Sequence, residues 1–233
     1  LGKYMPITAI TCWIGGLALV ATPFFSGFYS KDAIIEAVGA SHRFGSTYAY
    51  WCVLLGAYVT SLYTFRLLFM TFHGEERFRH VESAHGHAEA AGHPAQHGHE
   101  EAHDHHPAEP HESPWVVTVP LIALAIPSLL VGYFTVGPVL FGSYFGHSIF
   151  VLPANDVIGD MAREFHGPGR LGFHGFLGAP FWLMAAGFVT AWVCFLRRPQ
   201  LADRAERAFA WLHTLLVEKY YFDWVNERII APL

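Results

Sequence analysis

The chain has 233 residues, of which 53% are hydrophobic and only 14% are charged. An average soluble domain is about 25% charged, so this composition excludes disorder over most of the chain. Acidic residues outnumber basic ones by 19 to 14, which argues against nucleic-acid binding, because that function needs a basic surface. Cys12, Cys52 and Cys194 lie in apolar stretches and indicate small buried side chains rather than a disulfide or metal framework.

Four long stretches without Asp, Glu, Lys or Arg organise the chain. A helix needs about 20 apolar residues to cross the roughly 30 Å hydrocarbon core of a bilayer. The sequence therefore predicts an all-α membrane protein, a polytopic helical bundle with four spans, the first of them discontinuous, plus an amphipathic surface helix. The predicted segments are a broken transmembrane helix in 1–38, transmembrane helices in 39–72, 115–136 and 176–196, a His-rich loop in 73–114, a second loop in 137–175 and an amphipathic segment in 197–233.

Basic residues near the helix ends predict the orientation of the spans. Lys3, Arg77 and Arg198 each lie beside a span end, and four alternating spans place all three on one side. This set is denser than the basic residues of the opposite side, so we expect it in the cytoplasm and the 137–175 loop in the periplasm. Apolar residues at three- and four-residue spacing in Leu201–Leu216 predict an amphipathic helix, on the cytoplasmic membrane surface or against a neighbouring subunit.

The first span is too long for one straight helix. Ile7 to Val38 comprises 32 residues, about 48 Å at roughly 1.5 Å per residue. Pro23 removes a backbone amide and Gly27 tolerates unusual backbone angles, so we predict an interruption between Thr22 and Gly27. Broken helices expose helix ends, which carry partial charges, and they recur at ion sites in transporters. The alternative is a tilted helix with an ordinary proline kink.

Ser30, Lys31 and Asp32 follow the predicted break. A lysine at the centre of a membrane helix costs about 2.5–3.5 kcal/mol on insertion scales, so it is a functional candidate. If Ser30 caps the second half-helix, the helix dipole and partial burial both favour the neutral amine of Lys31, whereas Asp32 favours its charged form. Lys31 is therefore predicted to bind and release a proton, with Asp32 as a modulating carboxylate. The alternative is a lysine whose amine reaches the membrane interface beside its own counter-ion.

Two further groups of polar residues are weaker candidates. Arg66 lies in the second span, where its side chain either reaches the cytoplasmic interface or pairs with a carboxylate and tunes a water path near Lys31. The stretch from His85 to His111 has no apolar face to bury, and we expect it to be disordered. Its possible roles are metal binding, proton buffering and a simple linker; no spacing specifies a metal, and the weak candidate ligands are His97, His99, His103 and His105.

Three segments carry a resemblance to a known family. They are GGLALVATPFFSGFYSKDAIIEA (15–37), SLYTFRLLFMTFHG (61–74) and EKYYFDWVNERIIAPL (218–233). In this order the chain resembles the antiporter-like membrane subunits of respiratory complex I, the bacterial NADH–quinone oxidoreductase, and in particular the C-terminal portion of the L-type subunit. The FSGFYSKD-type motif is shared with proton/cation antiporter subunits, whereas SLYTFR with a downstream YYFD narrows the resemblance to the L-type.

The resemblance implies a function and its setting. Lys31 matches the exit-side lysine of the family's broken helix and Asp32 the acid beside it. The implied protein is a non-redox, proton-translocating subunit of the bacterial inner membrane, coupled to quinone reduction in other subunits. No cofactor is expected in this chain; FMN, iron–sulfur clusters and quinone are expected on partner subunits. The implied partners are the lipid bilayer and other membrane subunits, especially a neighbouring antiporter-like one. The alternative is a subunit of a multisubunit sodium/proton antiporter.

Overall fold

The computed structural model describes residues 1–76, 110–146 and 148–231. These residues form helices and turns, with no strand among them, and the prediction of an all-α membrane protein is confirmed. Within these described ranges, three helices are long and apolar enough to cross a membrane, and a shorter apolar helix precedes them. Large apolar side chains such as Leu67, Phe134 and Trp182 are exposed on the outer surfaces of these three helices, as a lipid-facing surface requires.

The helices follow the predicted spans closely. The first predicted span is divided into α1 and α2, which confirms that it is discontinuous. The three longer helices each end in a π-helical turn. The bounds are α1 Pro6–Leu19, α2 Ser26–Ala40, α3 Ser46–Leu68 with its turn Phe69–His73, α4 Trp115–Thr135 with its turn Val136–Phe141, and α7 Ala179–Trp192 with its turn Val193–Arg197.

The segment predicted as a loop in 137–175 contains two short helices, α5 (Val157–Glu164) and α6 (Pro168–Gly175). The side chain of Asp156 caps α5 by accepting a hydrogen bond from the amide of Gly159 at 2.9 Å. Proline at the start of α6 suits a first helical turn, where no amide hydrogen bond is lost. The connection between the third and fourth predicted spans is therefore partly helical.

The amphipathic helix predicted in 201–216 is divided in two. α8 (Gln200–Ala208) and α9 (Ala210–Val217) are separated at Phe209, whose φ of −109° and ψ of 33° interrupt the helix. Tyr220 and Tyr221 have positive φ values and start a new turn before the short helix α10 (Phe222–Val225). Only α8 has the amphipathic character predicted from the spacing, whereas α9 is mostly apolar.

The main core lies where α3 packs against α7. Phe65 is 1% exposed and Ala191 is fully buried. The hydroxyl of Ser61 donates a hydrogen bond of 2.6 Å to the carbonyl of Met184 on α7. A Cβ at Gly187 would lie 2.7 Å from the Cβ of Ser61, so the absence of a side chain there permits this close helix contact.

Residues next to the ends of two other helices bind at the N-terminal end of α1. Lys3 forms an ion pair of 2.5 Å with Glu76, which follows α3. Glu112, which precedes α4, accepts hydrogen bonds from the amide of Ile7 at 2.7 Å and from the hydroxyl of Thr8 at 2.7 Å. Glu112 thereby satisfies amides of the first turn of α1, where helices lack internal partners.

Candidate functional site: the broken helix and its lysine

The interruption between α1 and α2 comprises residues 20–25 and contains two residues of left-handed backbone. Ala21 has a φ of 62° and Phe24 a φ of 72°. Pro23 lies between them and is buried. Left-handed angles are costly for residues with a side chain, so packing has to hold this segment. The ring of Phe24 meets the ring of Phe173 on α6 at a centroid distance of 5.1 Å, which is one of those contacts.

Gly27 brings the two half-helices together in a way the sequence did not indicate. It lies in the first turn of α2 with helical angles, so the prediction that it supplies unusual backbone angles was wrong. A Cβ at this position would overlap the carbonyl oxygen of Ala18, near the end of α1. The position therefore requires glycine for close approach of one backbone to the other.

Lys31 joins the two halves of the broken span. Its amine donates a hydrogen bond to the carbonyl of Leu19, the last residue of α1. The final carbonyls of a helix have no partner within the helix, and the negative end of the helix dipole attracts a cation. Lys31 is partly buried, so this contact replaces water that the amine loses.

The position of Lys31 within α2 differs from the prediction. We expected Ser30 to cap the helix, with Lys31 in its first turn. The helix instead starts at Ser26, after the extended residue Phe25, so Ser30 and Lys31 lie in the second turn. The hydroxyl of Ser30 donates to the carbonyl of Gly27 at 3.2 Å. Lys31 is therefore farther from the N-terminal amides of its own helix and interacts with the opposite, C-terminal end of α1.

Asp32 is buried, with 8% of its surface exposed, whereas the amine of Lys31 is bound to the carbonyl of Leu19. No ion pair joins the two side chains in the part of the chain that the structure describes. Consecutive residues of a helix do not face each other, so this separation follows from helix geometry. Both side chains nevertheless line one inner cavity of about 250 Å³ between α2, α3 and the start of α7. This volume accommodates several water molecules.

A larger outer cavity of about 870 Å³ lies beyond Asp32, at the end of the bundle opposite to Lys3. Asp32 lines this cavity as well, together with Glu36 on α2 and His174 on α6. The sequence analysis did not select Glu36 or His174. Glu36 was detectable, because it lies four residues after Asp32 on the same helix face. His174 was not, because only the packing of α6 brings it to α2.

Arg66 is not part of this site. Its side chain is exposed and its guanidinium lies 5.3 Å from the ring centre of Phe195, at the end of α7. It lines neither the inner nor the outer cavity. The cation–ring contact explains its place without a carboxylate partner.

The candidate metal ligands belong to the His-rich sequence, most of which lies outside the described residues. His97, His99, His103 and His105 lie outside the described residues. Among the residues that the structure does describe, no group of three or more His, Cys, Asp or Glu side chains is arranged to hold a metal ion.

In a comparison with known proteins, the part of the chain that contains the break matches a protein family. Residues 1–61, which include α1, α2 and Lys31, match a family described as NADH:quinone oxidoreductase/Mrp antiporter, TM. NADH-quinone oxidoreductase subunit L of Neisseria meningitidis serogroup A is 43% identical over 99% of this chain and 33% of the relative. The same-named subunit of Rhodobacter capsulatus is 30% identical over 96% of this chain and 36% of the relative.

A relative from another organism matches the chain over a similar range. NAD(P)H-quinone oxidoreductase chain 5 of a Picosynechococcus species is 33% identical over 99% of this chain and 32% of the relative. The chain thus spans about a third of the length of the curated relatives it matches.

Proposed function

Because the chain belongs to the family of NADH–quinone oxidoreductase L subunits, we propose that it is part of a proton-translocating subunit of such an enzyme, with Lys31 as the proton relay. Quinone reduction takes place in other subunits, which hold the FMN and the iron–sulfur clusters. The partners are the lipid bilayer of the bacterial inner membrane and the other membrane subunits, foremost a neighbouring antiporter-like one. In this proposal the ends bearing Lys3 and Arg198 are cytoplasmic.

The observation that carries the proposal is the contact of the Lys31 amine with the end of α1. There the carbonyl of Leu19 and the negative end of the helix dipole stabilise the ammonium form. When the amine instead turns into the inner cavity, it loses that carbonyl. The proton affinity of Lys31 therefore depends on the position of its side chain.

Such a change in proton affinity is what transport against a membrane potential requires. Moving one charge across 100 mV costs about 2.3 kcal/mol. A hydrogen bond to a charged group contributes roughly 1.5–3 kcal/mol, so gaining or losing the Leu19 contact is of the required size. Asp32, which lines the same inner cavity, accepts the proton when Lys31 releases it.

The test is Lys31→Met in the full-length subunit, assembled in the complete enzyme. Methionine keeps helix propensity and approximate size while removing the titratable amine. We expect NADH-driven acidification of inverted membrane vesicles to fall severely for the same NADH oxidation. Lys31→Arg should fail as well, because guanidinium keeps its proton at physiological pH. Asp32→Asn should have a milder effect than either. An assembled Lys31→Met enzyme with the wild-type ratio of protons to electrons would show that Lys31 only anchors α2.

A sodium/proton antiporter subunit remains the second candidate, because the description of the matching family also names the Mrp antiporters. The same vesicles separate the two functions. An NADH-dependent proton gradient that is unchanged by removing sodium supports the oxidoreductase, whereas proton movement that needs a sodium gradient and no NADH supports the antiporter.

A further inference from the structure

We propose that Glu36 on α2 and His174 on α6 form a proton-release pair, which passes protons from Asp32 to the face of the membrane opposite Lys3. The proposal rests on the proposed relay function of Lys31 and adds the groups that complete the path on one side. It comes from the arrangement of the two cavities and of the side chains between them.

Asp32 connects the two cavities. The inner cavity and the outer cavity share three lining residues, Asp32, Ile35 and Pro180. Two of these three side chains are aliphatic and cannot carry a proton. The carboxyl group of Asp32 is therefore the group through which a proton leaves the inner cavity in this direction.

Glu36 is the next titratable group along the same helix. It lies one turn beyond Asp32, and residues four apart on a helix face the same side. The two carboxyl groups interact electrostatically, and both line the outer cavity. Two neighbouring carboxylates disfavour each other's charge, so a proton shared between them lowers the repulsion.

His174 reaches this pair from a different element. It interacts electrostatically with both Asp32 and Glu36. Two glycines of α6 bring it close, because a Cβ at Gly172 would lie 2.7 Å from the ring of Phe24 and a Cβ at Gly175 would overlap the ring of Phe28. An imidazole exchanges protons near neutral pH more readily than other side chains do, which suits the last group before water.

Other charged groups surround the pair without joining the two cavities. Glu164, at the end of α5, also interacts with Glu36. His42 and Arg43, between α2 and α3, line the outer cavity. None of these three lines the inner cavity, so they act on the pair only from outside.

Each transfer along the path conserves charge. The Lys31 ammonium gives its proton to the Asp32 carboxylate, which leaves a neutral amine and a carboxylic acid. Asp32 passes the proton to the Glu36 carboxylate and becomes a carboxylate again. Glu36 passes it to the neutral imidazole of His174, and the imidazolium releases it to water in the outer cavity.

The test uses Glu36→Gln, Glu36→Asp and His174→Gln in the full-length subunit within the complete enzyme. The measurement is the ratio of protons pumped to NADH oxidised in inverted vesicles, at equal amounts of assembled enzyme. We expect Glu36→Gln and His174→Gln to lower this ratio several-fold. Glu36→Asp should retain more pumping than Glu36→Gln, because it keeps the carboxylate although it is shorter. His213→Gln, on α9 and outside every cavity that Glu36 or His174 lines, is the control and should pump normally.

The outcomes separate a proton role from a structural one. A purely structural Glu36 would tolerate the nearly isosteric glutamine better than aspartate, and that order would overturn the proposal. Wild-type ratios for Glu36→Gln and His174→Gln would overturn it too. If Lys31→Met stops pumping while both of these variants pump normally, the release pair is wrong and the Lys31 relay stands. If Lys31→Met pumps normally, the proposed function itself fails.

Discussion

The amine of Lys31 binds the carbonyl of Leu19, twelve residues earlier in the chain and across the break between α1 and α2. One side chain thus links the first half of a membrane span to the second. A change in the charge of that side chain acts on the packing of both halves. If Lys31 is the proton relay that we propose, proton binding and the geometry of the break are coupled at this contact.

The close approach at Gly27 makes it the most sensitive position of the break. We expect Gly27→Ala to destabilise the subunit by roughly 1–3 kcal/mol or more, because the added methyl group overlaps the carbonyl of Ala18. The measurement is the amount and thermal stability of the assembled complex. Gly15→Ala is the control, since a Cβ at Gly15 meets nothing within 4 Å. Equal assembly of the two variants would contradict the close approach.

Ser26 ties the start of α2 to α4. Its hydroxyl donates to the carbonyl of Pro127 at 2.7 Å and accepts from the amide of Gly132 at 2.9 Å. At about 1 kcal/mol for each hydrogen bond, Ser26→Ala should cost roughly 2 kcal/mol. The measurement is the melting temperature of the solubilised complex, which we expect to fall. Ser128→Ala removes a hydroxyl that bonds only within α4, to Leu124; it should have a smaller effect, and an equal effect would argue against the link.

Glu112 gives a pH dependence with a definite sign. The hydrogen bond from the hydroxyl of Thr8, followed by those from the amides of Ile7, Ser113 and Thr8, lowers the pKa of Glu112. A pKa lower in the folded than in the unfolded state contributes stability above the unfolded value, about 4.3, and the contribution is lost as the pH falls through the folded pKa.

The variant Glu112→Gln should therefore be less stable than wild type at pH 7, and the difference should disappear in acid. Thermal unfolding of the assembled subunit at several pH values measures this. Glu75→Gln, at an exposed acid outside the helices, serves as the control for the loss of one negative charge. A difference that persists unchanged below pH 4 would mean that the charge of Glu112 does not cap α1.

Removal of the His-rich sequence should be tolerated. We expect deletion of Ala84 to Pro110 to leave assembly and proton pumping near normal, because this sequence has no apolar face to bury. Vesicle pumping per assembled complex is the measurement, with Glu112 retained so that α1 keeps its cap. Normal assembly with lost pumping would instead assign a buffering or metal-binding role to the histidines.

The sequence predicted the main features of the fold because they depend on local composition. Hydropathy was sufficient for the spans, and excess length with Pro23 was sufficient for the break. The bounds of the break were not predictable to the residue, since Ala21 and Phe24 adopt left-handed angles that only tertiary contacts stabilise. Glycine is the residue normally expected at left-handed angles, and for that reason the unusual backbone angles were wrongly assigned to Gly27.

The site was predictable only where its residues lie on one element. Lys31 and Asp32 were visible as ionisable residues in an apolar stretch. The partner of Lys31 was not, because a backbone carbonyl carries no residue signature. His174 depends on the glycines of α6 and on the ring of Phe28, which are contacts between distant parts of the chain. Local patterns contain no information on such packing.

The anchoring of Glu76 to Lys3 and of Glu112 to Ile7 and Thr8 fixes both ends of the His-rich sequence at the start of one helix. When the ends of a segment are held together, each doubling of its length costs only about 0.6 kcal/mol of closure entropy. Insertions between these two glutamates should therefore have little effect on the stability of the helix bundle. A fluorescent reporter or an affinity tag placed there would label the working complex without extending either terminus.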